Sequence, residues 1–231
     1  MIKYFVGSIF NIKAQAIVNT VNCTGVMGAG LALEYKLRYP EMYQDYKEKC
    51  DKKIIRVGEV NYYRSKEIII VNFPTKDYFK YPSKIQWIEA GLRDFLLTYK
   101  RYNIKSIAFP KLGTLNGGLK WDVVKKLMEK YLSQVEAEVY ICLDELKGAE
   151  GLELKMVNFF NQNREILLQK MKRITAKQKE ILLYAKPISR FWQISKFDGI
   201  GCTTYEKIFY TCKNAVEKSQ EAQMSLFNTY E

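Results

Sequence analysis

Gln15-Ala16-Ile17-Val18-Asn19-Thr20-Val21-Asn22-Cys23-Thr24-Gly25-Val26-Met27-Gly28-Ala29-Gly30 decides how the rest of this 231-residue chain is read. Residues 15–22 carry the apolar, β-branched run of a buried strand, the glycines behind them make a turn, and the pattern from about 29 to 49 is helical. Strand, glycine loop and helix in that order form the building unit of a layered α/β fold. Outward from this unit the alternation continues, with strands at 2–6, 58–63 and 67–72, the last holding Ile68-Ile69-Ile70-Val71. A helix over 83–101 presents Trp87, Ala90, Gly91 and Phe95 on one face, and strands at 105–109 and 137–143 bracket a helix at about 121–133. The expected fold is α/β, a mixed β-sheet sandwiched between helices.

From about residue 151 the β-branched runs stop, and 151–218 reads as a small, mainly helical module. Thr175 is placed to cap a helix over 176–186 ahead of Pro187, and Thr203-Thr204-Tyr205-Glu206 is patterned as a capping box for another helix reaching about 218. Residues 219–231 read as a flexible tail.

Thirty-seven basic residues face 25 acidic ones, a net charge of +12 that suits a polyanionic partner, nucleic acid or a phosphorylated ligand alike. Histidine is absent, which removes Ser-His-Asp, Cys-His and His-ligated zinc chemistry. The five cysteines, Cys23, Cys50, Cys142, Cys202 and Cys212, contain no C-x-x-C pair, so neither a disulfide framework nor a metal site is expected. The opening residues lack an apolar leader, and no run nears the ~18 apolar residues of a membrane span. The expectation is a soluble, cytoplasmic protein with no membrane partner and no cofactor.

Three segments can carry chemistry. The loop Gly25 to Gly30 ends a strand and opens a helix, where glycines admit an anion to backbone N–H groups and the helix dipole favours negative charge. Taken alone it is equally a structural turn. Phe109-Pro110-Lys111-Leu112-Gly113-Thr114-Leu115-Asn116-Gly117-Gly118-Leu119-Lys120-Trp121 is a second such loop, and two loops at strand ends can grip one ligand between them. Val71-Asn72-Phe73-Pro74-Thr75-Lys76-Asp77-Tyr78-Phe79-Lys80-Tyr81-Pro82-Ser83 reads as a strand leaving into a loop of alternating bases and aromatics. There Tyr78, Phe79 and Tyr81 can stack on nucleobases while Lys76, Lys80 and Lys84 meet phosphates; an ordinary solvated loop has the same composition.

Together, VNTVNC with GVMGAGLALEYKLRYPEMYQDY, NFPTK, and PKLG followed by NGGLKW make residues 1–145 resemble the macrodomain family, and within it the DarG-type DNA ADP-ribosyl glycohydrolases, antitoxins of DarT. The resemblance implies an ADP-ribose-binding hydrolase that removes ADP-ribose from a nucleobase, thymidine, in single-stranded DNA. It places adenine near Ser8 and Ile9, the diphosphate between Gly28-Ala29-Gly30 and Gly113-Thr114-Leu115-Asn116-Gly117, and the distal ribose at Asn22. It makes Lys76 the catalytic lysine, with Asn22 beside it. This sequence departs from the family pattern at Ser8, where many relatives carry aspartate, and at Thr114-Leu115, where Cys-Gly is usual. It also has Gly117 where a protein-directed branch carries an aspartate. Two alternatives stand beside this reading: a module that binds ADP-ribose without cleaving it, and a protein that neutralises a DarT-like toxin by contact. Finally, Gln223, Met224, Leu226 and Phe227 in Gln-Met-Ser-Leu-Phe resemble the peptide by which replication proteins bind the bacterial sliding clamp; a segment docking on its own module explains them equally.

Overall fold

The computed structural model describes residues 1–227, with side chains as far as 219, and the chain divides into two compact units, Met1–Glu145 and Leu146–Glu231. In the first unit the elements run β1 (Ile2–Phe5), β2 (Ala16–Asn22), α1 (Gly30–Arg38), α2 (Pro40–Asp51), β3 (Asn61–Arg64) and β4 (Ile69–Lys76). They continue with α3 (Ile85–Thr98), β5 (Ser106–Pro110), α4 (Trp121–Leu132) and β6 (Glu138–Cys142). The strands make one six-stranded sheet in the order β1-β6-β5-β2-β4-β3, parallel throughout except for β3, which pairs antiparallel with β4. It is the mixed sheet expected.

Alternation along β2 builds both layers. Ala16 and Val18 pack with Phe73, Ile88, Phe95 and Val124 on the α3/α4 side, whereas Ile17 and Val21 pack with Tyr35, Met42 and Tyr46 on the α1/α2 side. The parallel arrangement leaves the loops after β2, β4 and β5 at one end of the sheet, where ligands of open α/β folds bind.

Several expected boundaries move, each for a local reason. The helix expected over 29–49 is two helices, because Pro40 brings no N–H to continue α1 and pushes Tyr39 out of helical conformation (φ −129°, ψ 68°). The strand expected at 67–72 runs to Lys76, so NFPTK is strand and not loop; its pairing with β2 holds it extended. On α3 the buried stripe is Ile88, Gly91, Leu92 and Phe95, and Ala90 faces out. Gly91 is there because Phe73 needs the space: a Cβ would lie 2.4 Å from the ring tip.

The second unit holds α5 (Gly151–Lys170), α6 (Ala176–Tyr184), a 3-10 turn (Phe191–Lys196) and α7 (Cys202–Phe227). Thr175 caps α6 in a reciprocal box with Gln178. The second expected box does not form, because α7 begins at Cys202 and puts Thr203 inside the helix. The backbone of α7 continues to Phe227, since no glycine or proline interrupts residues 206–227; the tail expected from 219 is therefore helical to that point. The side chains of Gln223, Met224, Leu226 and Phe227 lie outside the described residues. Two arginines organise the interior of this unit. Arg190 is paired with Glu153 through Nε at 3.0 and 3.1 Å, and Arg164 donates to the carbonyls of Leu183 and Ala185 at the end of α6, where cations are favoured. Among the described residues, no helix is long and apolar enough to cross a membrane.

Two stability measurements check this packing. In an exposed helix Gly→Ala gains about 1 kcal/mol; Gly91→Ala is expected to lose about 1–3 kcal/mol in chemical denaturation, because the methyl overpacks against Phe73. Glu153→Ala strands the buried Arg190 guanidinium and is expected to cost about 3–5 kcal/mol.

Candidate active site

The first loop is shaped from behind by tyrosines on α1 and α2. Tyr46, fully buried, donates to the Asn22 carbonyl at 2.6 Å and reaches its Oδ1 at 3.3 Å; Tyr35 donates to the Val18 carbonyl at 3.1 Å and Tyr43 to that of Gly25 at 3.4 Å. Asn22 folds the loop around its own amide. Its Oδ1 accepts from the Thr24 N–H (2.9 Å) and hydroxyl (2.8 Å), and its Nδ2 donates to the Val26 carbonyl (2.6 Å), with no second Nδ2 bond found among the described residues. Beyond this turn Gly28, Ala29 and Gly30 are exposed, and Leu33, bonded to Ala29, is the first residue of α1 whose N–H finds a helical acceptor. The start of α1 thus presents donors and the positive end of its dipole to the loop.

The second loop is tighter. Gly113 takes φ +64°, Leu119 N–H bonds back to its carbonyl at 3.0 Å, and a Cβ on Gly117 would lie 2.2 Å from that same carbonyl. No side chain fits at 117, so the carboxylate of the protein-directed branch has no room here. The N–H groups of Gly113 through Gly117 donate none of the hydrogen bonds found among the described residues. A run of such donors around a turn can receive an anion. The two loops meet where a Cβ on Gly30 would come within 2.8 Å of the Asn116 side-chain amide.

A bulge brings Lys76 opposite Asn22 at the end of the ladder. Val21 pairs with Pro74 but Asn22 pairs with Lys76, so Thr75 is the extra residue, its hydroxyl turned back to the Val21 carbonyl at 3.4 Å. The Lys76 Nζ donates to the Asn116 carbonyl of the second loop and to that of Phe79 at 3.4 Å. Burial lowers its pKa below the ordinary lysine value. Cys23, at the edge of the site, is no rival nucleophile: burial, with Asp77 nearby, pushes its thiol up to about 12.

Past Lys76 the chain makes an aromatic cluster, Tyr78 with Phe79 at 4.7 Å and with Tyr81 at 5.2 Å, and Tyr81 is 62% exposed. Lys80 lies 5.6 Å from the Phe79 ring centre, and Lys84 lies 4.7 Å from that of Trp87. Ser8 caps the 3-10 turn Ile9–Asn11, accepting from the Phe10 N–H at 3.4 Å, while Ile9 is buried beneath it. Of the second-loop residues expected to meet the diphosphate, Leu115 is 91% exposed and Thr114 bonds its own loop through the Lys111 carbonyl at 3.1 Å. Sequence reasoning missed Tyr46 and Thr75. Tyr46 reads as one core aromatic among many, and a bulge leaves no mark in a strand pattern.

The family model for the Macro domain matches residues 18–128. Among solved structures, the macrodomain of Mycobacterium tuberculosis DarG superposes with a TM-score of 0.60 at 38% identity, covering 62% of this chain and 98% of that one. The chain belongs to the macrodomain family. Thermosipho africanus DarTG in complex with ADP-ribose matches this macrodomain protein at 33% identity and a TM-score of 0.59, over 66% of this chain and 44% of that one. A Mycobacterium tuberculosis protein named DNA ADP-ribosyl glycohydrolase is 36% identical over 223 residues, 93% of this chain and 59% of its own length. The chain therefore spans less than two thirds of that relative. The likeness also extends past the macrodomain into the helical unit, where sequence motifs showed no resemblance.

Gly117→Ala tests the second loop. With ADP-ribose as probe, titration calorimetry is expected to show an affinity loss of at least about tenfold, roughly 1.4 kcal/mol, in a protein whose circular dichroism is unchanged. Unaltered affinity would mean that the loop backbone does not hold the anion.

Proposed function

We propose that this protein is a DNA ADP-ribosyl glycohydrolase, removing ADP-ribose from thymine in single-stranded DNA. The observation that carries the reading is Lys76, partly desolvated, opposite Asn22 in the ladder and tied by its Nζ to the Asn116 carbonyl of the second loop. The names of the relatives agree with it. In the reaction the bond from C1″ to the base nitrogen breaks and its electron pair stays on the base. Water supplies a hydroxyl to C1″, and the base nitrogen takes up one proton. Lys76 serves as the acid: its Nζ already donates two hydrogen bonds, which suits the ammonium form, and the lowered pKa eases transfer of the proton to the departing side. The diphosphate lies between the start of α1 and the Gly113–Gly117 turn, with adenine toward Ser8 and Ile9 and the distal ribose at Asn22. Tyr78, Phe79 and Tyr81 stack on bases flanking the lesion while Lys80 and Lys84 meet phosphates.

The biological setting follows from the substrate. A relative from Thermosipho africanus is named a fusion of DNA ADP-ribosyl transferase and DNA ADP-ribosyl glycohydrolase. We place this chain opposite such a transferase in a cytoplasmic toxin–antitoxin or DNA-repair role. Gln223 to Phe227 is proposed as a sliding-clamp peptide, and loss of clamp binding in a Leu226→Ala, Phe227→Ala double variant is the result that supports it.

Incubation with a single-stranded oligonucleotide carrying ADP-ribose on thymine, read by mass spectrometry, tests the function. Lys76→Ala is expected to lose at least about 100-fold in rate, with ADP-ribose affinity near that of the parent. The ammonium is lost as pH rises through the Lys76 pKa, so kcat/KM is expected to fall along an alkaline limb that begins below the ordinary lysine pKa. A rate that climbs through that limb, with a borohydride-trapped lysine adduct, would make Lys76 a nucleophile. ADP-ribose binding without any turnover by the parent would support the binding module in place of the enzyme.

A further inference from the structure

The segment after Lys76 is fastened to the second loop at two consecutive carbonyls: Lys76 Nζ donates to that of Asn116, and the Ser83 N–H donates to that of Gly117 at 2.9 Å. Between these ties the Ser83 side chain is pushed under the loop. Ser83 is 5% exposed, and its Oγ has no hydrogen-bond partner among the described residues. A buried hydroxyl without a partner is costly, and alanine would avoid that cost, so the group calls for an explanation.

Its surroundings supply one. The point that a Gly117 Cβ would occupy is 2.5 Å from Ser83 Oγ and 2.2 Å from the Gly113 carbonyl oxygen. Hydroxyl and carbonyl oxygen therefore both lie close to the bare side of Gly117, and no hydrogen bond joins them. The Gly113 oxygen accepts only the Leu119 N–H, at 3.0 Å, among the described residues, so it has a second lone pair to offer. On the same turn, the N–H groups of Gly113 to Gly117 have no acceptor among the described residues.

We propose that Ser83 is a positioning residue for the diphosphate-binding loop. An anion taken up by the loop N–H groups draws the turn into the conformation in which Ser83 Oγ–H donates to the Gly113 carbonyl. The new bond then holds the turn in its anion-bound shape. The ligand chemistry is a diphosphate; this rests on the function proposed above, in which that diphosphate belongs to ADP-ribose. Lys76 itself is held by β4, so the bond acts on the anion-binding turn and not on the lysine.

The test is Ser83→Ala, measured by thermal unfolding without ligand, by calorimetry with ADP-ribose and with ADP, and by steady-state kinetics. The variant is expected to melt at or above the parent when unliganded. It should bind ADP-ribose and ADP about tenfold more weakly, in the same proportion, and show a KM raised by about that factor with kcat within about twofold. Parent-like affinity for both ligands would overturn the proposal, as would a lowered melting temperature with kcat and KM falling off together. A loss confined to ADP-ribose would place the effect on the distal ribose and overturn it as well. Failure of the parent itself to bind either ligand would instead contradict the function on which the proposal rests.

Discussion

Parallel pairing of β2 with β4 runs from Ala16 opposite Ile69 to Asn22 opposite Lys76, with Thr75 extruded just before the end. That ladder is what the remainder of the first unit depends on. It buries Asn19 and Asn72 side by side, with Asn19 Nδ2 donating to Asn72 Oδ1 at 3.0 Å, and so makes the register costly to shift. It also brings the two strand ends together, so that the glycine loop following Asn22 and the aromatic loop following Lys76 leave from adjacent points. The link from Cys23 N–H to the Asp77 carbonyl at 3.1 Å extends the pairing one step past the strands. The bulge then turns a lysine that regular alternation would send elsewhere into the position opposite Asn22.

Electrostatics at this end of the sheet come mainly from the backbone. The start of α1 and the Gly113–Gly117 turn offer N–H groups, and glycine is needed where a Cβ would collide: at 30 with Asn116, at 117 with the Gly113 carbonyl. Such donors act by fixed geometry and do not titrate. Lys76 is a side chain there whose pKa burial brings below the ordinary lysine value. The Cys23 thiol is held protonated by burial, with Asp77 nearby. A chain without histidine can in this way keep an acid at its site, through the desolvation that brings a lysine pKa down.

Much of this was legible in the sequence, and what was not has physical reasons. The run from Gln15 to Gly30 reads directly as strand, loop and helix because burial, glycine and helix period change sharply there. The extension of β4 through NFPTK was hidden, since Pro74 and Thr75 look like loop residues until a neighbouring strand holds them extended. The break at Tyr39-Pro40 was visible in the letters but outweighed by a continuous apolar period. Asn22 was singled out for a ligand, and the structure shows that most of its amide is engaged in shaping the loop that would receive one. Tyr46, which fixes Asn22, and Ser83, which lies under Gly117, act through contacts between elements far apart in sequence, and no local pattern records those.

A crystal structure of the protein with ADP-ribose bound would test Lys76 as the acid. The Lys76 Nζ is expected within hydrogen-bond reach of the C1″ end of the distal ribose, about 3 Å, with its bond to the Asn116 carbonyl exchanged for the ligand and the diphosphate on the Gly113–Gly117 N–H groups. A bound ADP-ribose whose C1″ end faces away from Lys76, with the Nζ still on the Asn116 carbonyl, would contradict it.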